Sequence, residues 1–338
     1  MLVAMSGGVD SSLCAALLLR RGYEAEGLTF VAFDGGEGAA RDAAAVCAAL
    51  GIPHRTLDLR SQFRRAVVEP FIKEYLSGRT PNPCVMCNRA IKFGALFDYA
   101  EKNGFDYIAT GHYAVISRDE GGRLCIARNP DRSKDQSYVL YTLPRRVLER
   151  TLLPLGGMTK AEVRAEAEAL GLPAAKKADS QDICFIPDGD YASFILKNTG
   201  APPLPGPITD SDGNILGRHR GLMYYTVGQR KGIGAYGEPM FVLRCDYGGN
   251  ALVLGRRGEE YSGCLTARDI CEPYAGALSV PRAAAKIRYS GEPAPCSLSP
   301  IEGGRLRVQF DAPVRAVTPG QAVVFYDGDR VIGGGTIE

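Results

Sequence analysis

An α/β fold, a parallel sheet with helices on both faces, is predicted for the first part of this 338-residue chain, with β-rich units after it. Three observations predict it. Short apolar runs alternate with helix-forming runs over the first sixty residues, as in sheets covered by helices. A Ser/Gly turn, Ser6-Gly7-Gly8-Val9-Asp10-Ser11, joins the first apolar run to the first helical one. Past about Asn198, prolines, glycines and short β-rich runs predict a small central β-rich domain followed by a C-terminal β-barrel.

Leu2-Val3-Ala4-Met5 reads as a buried strand and Ser12 to Arg21 as a helix of good helix formers. Ala25 to Phe33 reads as a second strand. A helix from Ala39 to Leu50 follows, closed by Gly51 and Pro53, and then a strand at His54–Leu59. Ser61 to Leu76 is amphipathic, with Phe63, Val67, Val68, Phe71, Ile72 and Tyr75 on one side; Pro70 should kink or split it. Asp106-Tyr107-Ile108-Ala109 is a further strand, Ile116 to Asn129 a hairpin around Glu120-Gly121-Gly122. Arg146 to Gly171 carries helical patterns, with a Thr159…Glu162 capping box. The boundaries fall at 1–195, 196–260 and 261–338.

The composition is that of a globular protein. No apolar run approaches the length of a membrane span, and Met1 leads straight into the first strand without room for a signal peptide. A cytoplasmic location follows as the expectation, with the ten cysteines reduced unless they bind metal or take part in catalysis. A net charge of +2 neither supports nor excludes an RNA partner.

Chemistry concentrates in a few stretches. A strand, a Ser/Gly turn and a helix N-terminus make an anion cradle, in which glycines admit a phosphate and first-turn N–H groups point at it. Ser6 and Ser11 can add hydroxyl donors. The lysine of the GxxxxGK[ST] loop is absent. Downstream, Thr80-Pro81-Asn82-Pro83 is a stiff extended loop that carries Cys84 and Cys87 to the start of a helix running to about Asn103. A helix N-terminus lowers thiol pKa, so the pair is placed for reactivity or for metal. Thr110-Gly111-His112-Tyr113 follows a strand and falls at the same sheet edge. Lys134-Asp135-Gln136-Ser137-Tyr138 reads as a solvated helix start or as a phosphate or base contact. Cys184, within Asp179-Ser180-Gln181-Asp182-Ile183-Cys184-Phe185-Ile186, is as easily structural as chemical. The basic loops 218–220 and 228–232 suit phosphates or plain solvent. The other seven cysteines form no usable pattern and read as structural.

SGGVDS resembles the PP-loop of the N-type ATP pyrophosphatases, which cut ATP to AMP and pyrophosphate. In that family the loop's aspartate, here Asp10, lies near the pyrophosphate and its Mg²⁺. Together with GRTPNPCVMCNRAIKF, IATGHYA, KDQSYVLY, DSQDICFI, YYTVGQRKGIG, KIRYSG and PGQAVVFYDGD, the chain resembles the tRNA-specific 2-thiouridylases (the MnmA/TrmU family) over nearly its whole length. The resemblance implies a PP-loop domain, a central domain and a barrel. It also implies ATP-dependent replacement of the C2 oxygen of the wobble uridine of tRNA by sulfur. Ala4, Met5, Ser6, Gly7, Gly8, Val9, Asp10, Ser11, Phe30 and Gly111 would hold ATP, Phe30 standing where the family commonly has Met. Asn82, Pro83 and Cys84 would lie against the target base. His112, Lys134, Asp135, Gln136, Arg288, Tyr289 and Gln321 would meet tRNA. Cys87 matches the family's nucleophile and Cys184 its persulfide-carrying cysteine.

The chain departs from that pattern in two places. It has no Trp, including after Phe33 where the family often has one. Cys84 stands where many members have an Asp assigned as acid/base, and a thiol does not replace a carboxylate in that task. Two sulfur routes follow. A donor protein passes a persulfide to Cys184, and Cys87 resolves it through a disulfide. Alternatively Cys84, Cys87 and Cys184 hold a 4Fe-4S cluster with one iron open to hydrosulfide, inorganic sulfide being the donor; three thiolates also suit zinc with an open position. Cys84 favours the cluster route. The rivals are another PP-loop synthetase of amidotransferase type and a non-catalytic RNA-binding relative.

Overall fold

The structure, a computed structural model, describes every residue except 176, 178–182 and 201. Five strands form the first sheet. Its spatial order is His54–Asp58, Glu26–Val31, Leu2–Ala4, Ile108–Ala109, Thr151–Leu152, and every pairing is parallel. The chain builds outward from Leu2–Ala4 on one side and then returns to build on the other. That reversal opens a crevice beyond the carboxyl ends of Leu2–Ala4 and Ile108–Ala109, where ligands of open parallel sheets bind. The edge strand Thr151–Leu152 lies in a stretch read above as helical. Two residues are too few to display a period of two, so sheet pairing alone makes them a strand.

Helices Val9–Arg20 and Glu37–Leu50 follow the first two strands, and Gly51 ends the second in the left-handed conformation at φ 68°. The segment around Pro70 does not break. It runs as Arg60–Phe63, a wide π turn at Arg64–Val68, and Glu69–Leu76. Proline lacks an N–H and its ring crowds the carbonyl four residues back, and a wider turn just ahead relieves both. A second π turn, Asn88–Ala95, lies between Pro83–Cys87 and Leu96–Lys102. Gly94 permits it, because a Cβ there would sit 2.7 Å from the Arg89 carbonyl oxygen.

Six antiparallel strands, Tyr261–Cys271, Arg282–Lys286, Ala294–Ile301, Arg305–Arg315, Ala322–Asp327 and Arg330–Ile337, form a barrel. It closes where Tyr261–Cys271 pairs with Arg330–Ile337. The hairpin Ala114–Arg118/Leu124–Arg128 forms as expected, but it extends this barrel sheet through the Arg330–Ala127 pair instead of staying with the parallel sheet. A four-stranded sheet, in the order Met240–Asp246, Ala251–Arg256, Gly206–Thr209, Ile215–His219, stands between and has its own core of Leu222, Val242, Leu252 and Leu254. One apolar cluster runs from Leu2, Leu28 and Ile108 through Phe93 and Phe97 to Val324, Tyr326 and Val331. The barrel is therefore packed onto the parallel sheet, at about 1.5–3 kcal/mol for each large side chain fully buried. Among the described residues no helix is long and apolar enough to cross a membrane.

Candidate active site

The SGGVDS turn lies in the crevice. Gly7 takes φ 68° and packs so tightly that a Cβ would lie 2.5 Å from Cβ of Asp42. Gly8 is the N-cap of the first helix, whose first backbone bond runs from Ser12 N–H to Gly8 O at 3.2 Å, so the earlier amides face the crevice. The hydroxyls of Ser6 and Ser11 lie 3.1 Å apart and Ser11 Oγ donates to Gly8 O at 3.1 Å. Gly111 comes from the adjacent strand end and touches the loop from above; its Cβ would stand 2.8 Å from the Asp10 carbonyl carbon. Met5, Gly7, Val9 and Ser11 are buried, while Ala4, Gly8, Asp10, Phe30 and Gly111 are partly exposed and Ser6 is exposed. All the residues assigned to ATP by resemblance thus lie on two adjacent strand ends and their neighbour Glu26–Val31.

The cysteine loop is held from two sides. Asn82 caps the Pro83–Cys87 turn, its Oδ1 accepting from Cys84 N–H at 3.1 Å and Val85 N–H at 3.4 Å. From the barrel, Gln321 Nε2 donates to Thr80 O at 2.9 Å, and Thr80 N–H donates to Pro319 O at 2.8 Å. Tyr138 Oη donates to Ala322 O at 2.7 Å. Cys184 is anchored differently. Next to it, Phe185 enters an aromatic cluster, 5.4 Å from Phe63, 5.6 Å from Phe71 and 5.3 Å from Phe194 between ring centres, and Ile186 is buried. The preceding motif residues 179–182 lie outside the described residues.

The three cysteines are free thiols, and they share one electrostatic neighbourhood. Charge on Cys84 or on Cys184 raises Cys87, charge on Cys84 raises Cys184, and the Lys92 ammonium lowers all three. The Asn88–Ala95 π turn explains the position of Lys92. An i,i+5 pair diverges in an α-helix, whereas a π turn brings it back toward one face, here Cys87 and Lys92. The expectation of lowered thiol pKa values is overturned. Loss of hydration pushes Cys87, which is partly buried, up to about 12, and pushes Cys84 and Cys184 up as well although both are surface-exposed, outweighing Lys92 and a single short helical turn. Among the described residues no group of three His, Cys, Asp or Glu side chains stands in metal-ligating geometry. Three thiols are a fitting donor set for three corners of a cluster, but as they stand they are not gathered as ligands.

The residues assigned to tRNA divide into rim and support. Tyr289 is exposed and stands edge-on to Tyr138 at 6.2 Å, close enough to Cys84 for its charge to raise the Tyr289 phenol. Arg288 spans the barrel rim, donating to Ala316 O at 2.7 Å, and Lys134 is partly exposed. His112 and Asp135 are buried. His112 Nδ1 lies 2.8 Å from Thr110 Oγ1, and burial with Lys92 nearby pushes its pKa down to about 3, so the ring is neutral. Asp135 accepts from Asn129 N–H at 3.0 Å, Ser137 N–H at 3.1 Å and Ser137 Oγ at 2.9 Å. Gln136 Oε1 accepts from Tyr113 N–H at 2.9 Å. Of the basic loops, Arg218, Arg220, Arg230 and Lys231 are exposed, while His219 is buried on Asn250 O at 3.0 Å. Cys264, read as structural, is exposed; Cys14, Cys47, Cys125 and Cys296 are buried.

Sequence reasoning placed Tyr113 at the loop's sheet edge without its bond to Asp10, and missed Lys160 altogether. Lys160 Nζ lies 2.7 and 2.9 Å from the two Asp10 carboxylate oxygens, and Tyr113 Oη donates to Asp10 Oδ1 at 2.6 Å. The one local signal was the capping box that starts the Lys160–Ala169 helix.

A family model described as a tRNA methyl transferase HUP domain matches residues 1–188. Others described as a tRNA methyl transferase PRC-barrel domain and an aminomethyltransferase beta-barrel domain match 193–256 and 275–337. The chain is 48% identical over 353 residues to the tRNA-specific 2-thiouridylase MnmA of Acetivibrio thermocellus, covering 100% of this chain and 98% of that one. It is 49% identical over 352 residues to the protein of the same name from Moorella thermoacetica, covering 100% and 99%. A 4-thiouridine synthetase–RNA complex with bound ATP aligns at TM-score 0.38 and 20% identity, over 59% of this chain and 50% of that one, a likeness too slight to build on.

Proposed function

The chain belongs to the tRNA-specific 2-thiouridylase family, and from that premise we propose that it exchanges the C2 oxygen of the wobble uridine of tRNA for sulfur, using ATP. The observation that carries this is the pairing, on one chain, of the SGGVDS anion cradle with three free thiols in one neighbourhood. The matching domain descriptions speak of methyl transfer and the whole-chain relatives of thiolation. Methyl transfer from an activated donor uses neither a polyphosphate cradle nor paired thiols, and thiolation uses both.

The sulfur exchange proceeds in two stages. The uridine C2 oxygen attacks the α-phosphate of ATP bound over Ala4–Ser11, Phe30 and Gly111, and pyrophosphate leaves. This turns a poor leaving group into AMP. Asp10, whose carboxylate Lys160 and Tyr113 engage in this structure, is the residue that would hold Mg²⁺ in exchange for those contacts, and the ion would supply charge neutralisation for the departing pyrophosphate. Asn82, Pro83 and Cys84 stand where the base docks, and Lys134, Arg288 and Tyr289 line the RNA approach. The terminal sulfur of a Cys184 persulfide, loaded by a carrier protein, attacks C2, and AMP departs with the original oxygen. Cys87 thiolate then attacks Cys184 Sγ. The S–S bond to the substrate breaks, the sulfur stays on C2 and a Cys87–Cys184 disulfide remains for an external dithiol to reduce. Lys92 lowers the thiols against burial and so favours the thiolate each step needs. The division at 1–195, 196–260 and 261–338 would separate the chemistry from two tRNA-contacting units, with the cytoplasm as its setting.

The coupling of Cys84 to both other thiols favours a second reading, a 4Fe-4S cluster held by Cys84, Cys87 and Cys184. One experiment tests both: tRNA thiolation by anaerobically purified protein, with and without iron, given ATP and either inorganic sulfide or a persulfide donor. Activity of iron-free protein with the persulfide donor, lost in Cys87→Ser and Cys184→Ser, supports the first. Activity confined to iron-loaded protein with sulfide, lost in Cys84→Asp, supports the second. Pyrophosphate release that needs no tRNA and leaves tRNA unthiolated would refute both.

A further inference from the structure

The SGGVDS loop has no lysine of its own, although a polyphosphate with several negative charges calls for one. The fold brings two to it from downstream: Lys177, whose Nζ donates to Gly7 O at 3.3 Å and pairs with Asp42, and Lys160, the one that meets the loop's own carboxylate. The Lys160 ammonium contacts both oxygens of Asp10, at 2.7 and 2.9 Å, with its side chain only 12% exposed. Tyr113 Oη holds Oδ1 from the other side at 2.6 Å. Lys160 is the first residue of its helix and Asp10 lies in the first turn of Val9–Arg20, so the ammonium reaches the start of the loop's own helix. The start of Val9–Arg20 and the Lys160 ammonium both bring positive charge to the place where the cradle would take a phosphate.

The lysine is also held firmly. Thr159 and Glu162 form a reciprocal capping box at the helix start, and the Lys160 N–H donates to the Asp131 carboxylate. Val163 and Ala167 pack with Val9, Leu13 and Ala16 of the loop's own helix, and Arg20 pairs with Glu166 at the far end. A cation fixed in place before the substrate arrives stabilises developing charge without reorganisation.

We infer that Lys160 is the polyphosphate-binding cation of the SGGVDS loop, and that Tyr113 is a positioning residue that fixes Asp10 beside it. The inference rests on ATP binding at that loop. Titrating wild type, Lys160→Met and Tyr113→Phe with ATP and, separately, with AMP tests it. Removing a charge-assisted contact is expected to lower ATP affinity roughly 10- to 100-fold in Lys160→Met and to leave AMP affinity unchanged. Tyr113→Phe is expected to lower ATP affinity about 2- to 10-fold, again sparing AMP. Lys160→Gln, which still donates to Asp10, serves if the methionine variant does not fold. An unchanged ratio of ATP to AMP affinity in the Lys160 variants overturns the inference, since a merely structural ion pair would affect both ligands alike. Wild-type protein with no affinity for ATP would instead overturn the reading of the loop itself, and Lys160's role with it.

Discussion

Gly111→Ala is the sharpest steric test of the crevice. The new Cβ would lie 2.8 Å from the Asp10 carbonyl carbon, 2.9 Å from its oxygen and 3.0 Å from Ser11 N. All three are backbone atoms, so no side chain can rotate away. Ordinary van der Waals contact begins at 3.4 Å, and relief means moving the two strand-end loops apart by roughly half an ångström. Asp10 is tied to Lys160 and Tyr113, and Ser11 to Gly8, which resists that movement. Overpacking of this kind costs about 1–3 kcal/mol, equivalent to about 5- to 150-fold in an affinity that depends on the undistorted loop. Expected, therefore, is a rise of at least about fivefold in the Kd for ATP by calorimetric titration. Gly157→Ala is the control, because a Cβ there meets nothing within 4 Å. An alanine at 111 that binds ATP as wild type does would refute the reasoning, and with it the claim that loop and strand end form one site.

Phe185→Ala should remove the aromatic anchor next to Cys184 and cost about 1–3 kcal/mol locally, since the ring is only partly buried; thiolation should fall while calorimetry shows ATP affinity intact. Tyr138→Phe leaves Ala322 O without its donor and should cost about 1 kcal/mol in denaturant unfolding with little effect on ATP binding. His112 gives a pH signature. Its folded pKa, about 3, lies below the 6.5 of a free imidazole, so only the unfolded chain takes up a proton between them. Its stability contribution is complete above about pH 6.5 and is lost as pH falls toward 3, by about 2 kcal/mol at pH 5. Unfolding at pH 7 and pH 5 should therefore show a loss in wild type that His112→Gln lacks, and equal losses would contradict the neutral buried ring.

The features legible in the residues alone are local ones. Alternating apolar and helical runs, glycine stops and the Thr159–Glu162 box depend on hydrogen bonds and periodicities spanning a few residues, and the strand–SGGVDS–helix unit, Gly51 and the hairpin turn appear where those rules put them. Long motifs were likewise legible because a tight turn or a proline-stiffened loop dictates its own residues. Contacts between residues far apart in the chain left no local trace. Lys160 on Asp10, the hairpin captured by the barrel, Gln321 pinning the cysteine loop and Cys184 beside Cys87 exist only once the sheet order and the shared core bring distant segments together. The pKa of Cys87 shows why. A helix start argues for a lower value, but burial depends on everything packed around a thiol, and only tertiary structure decides that.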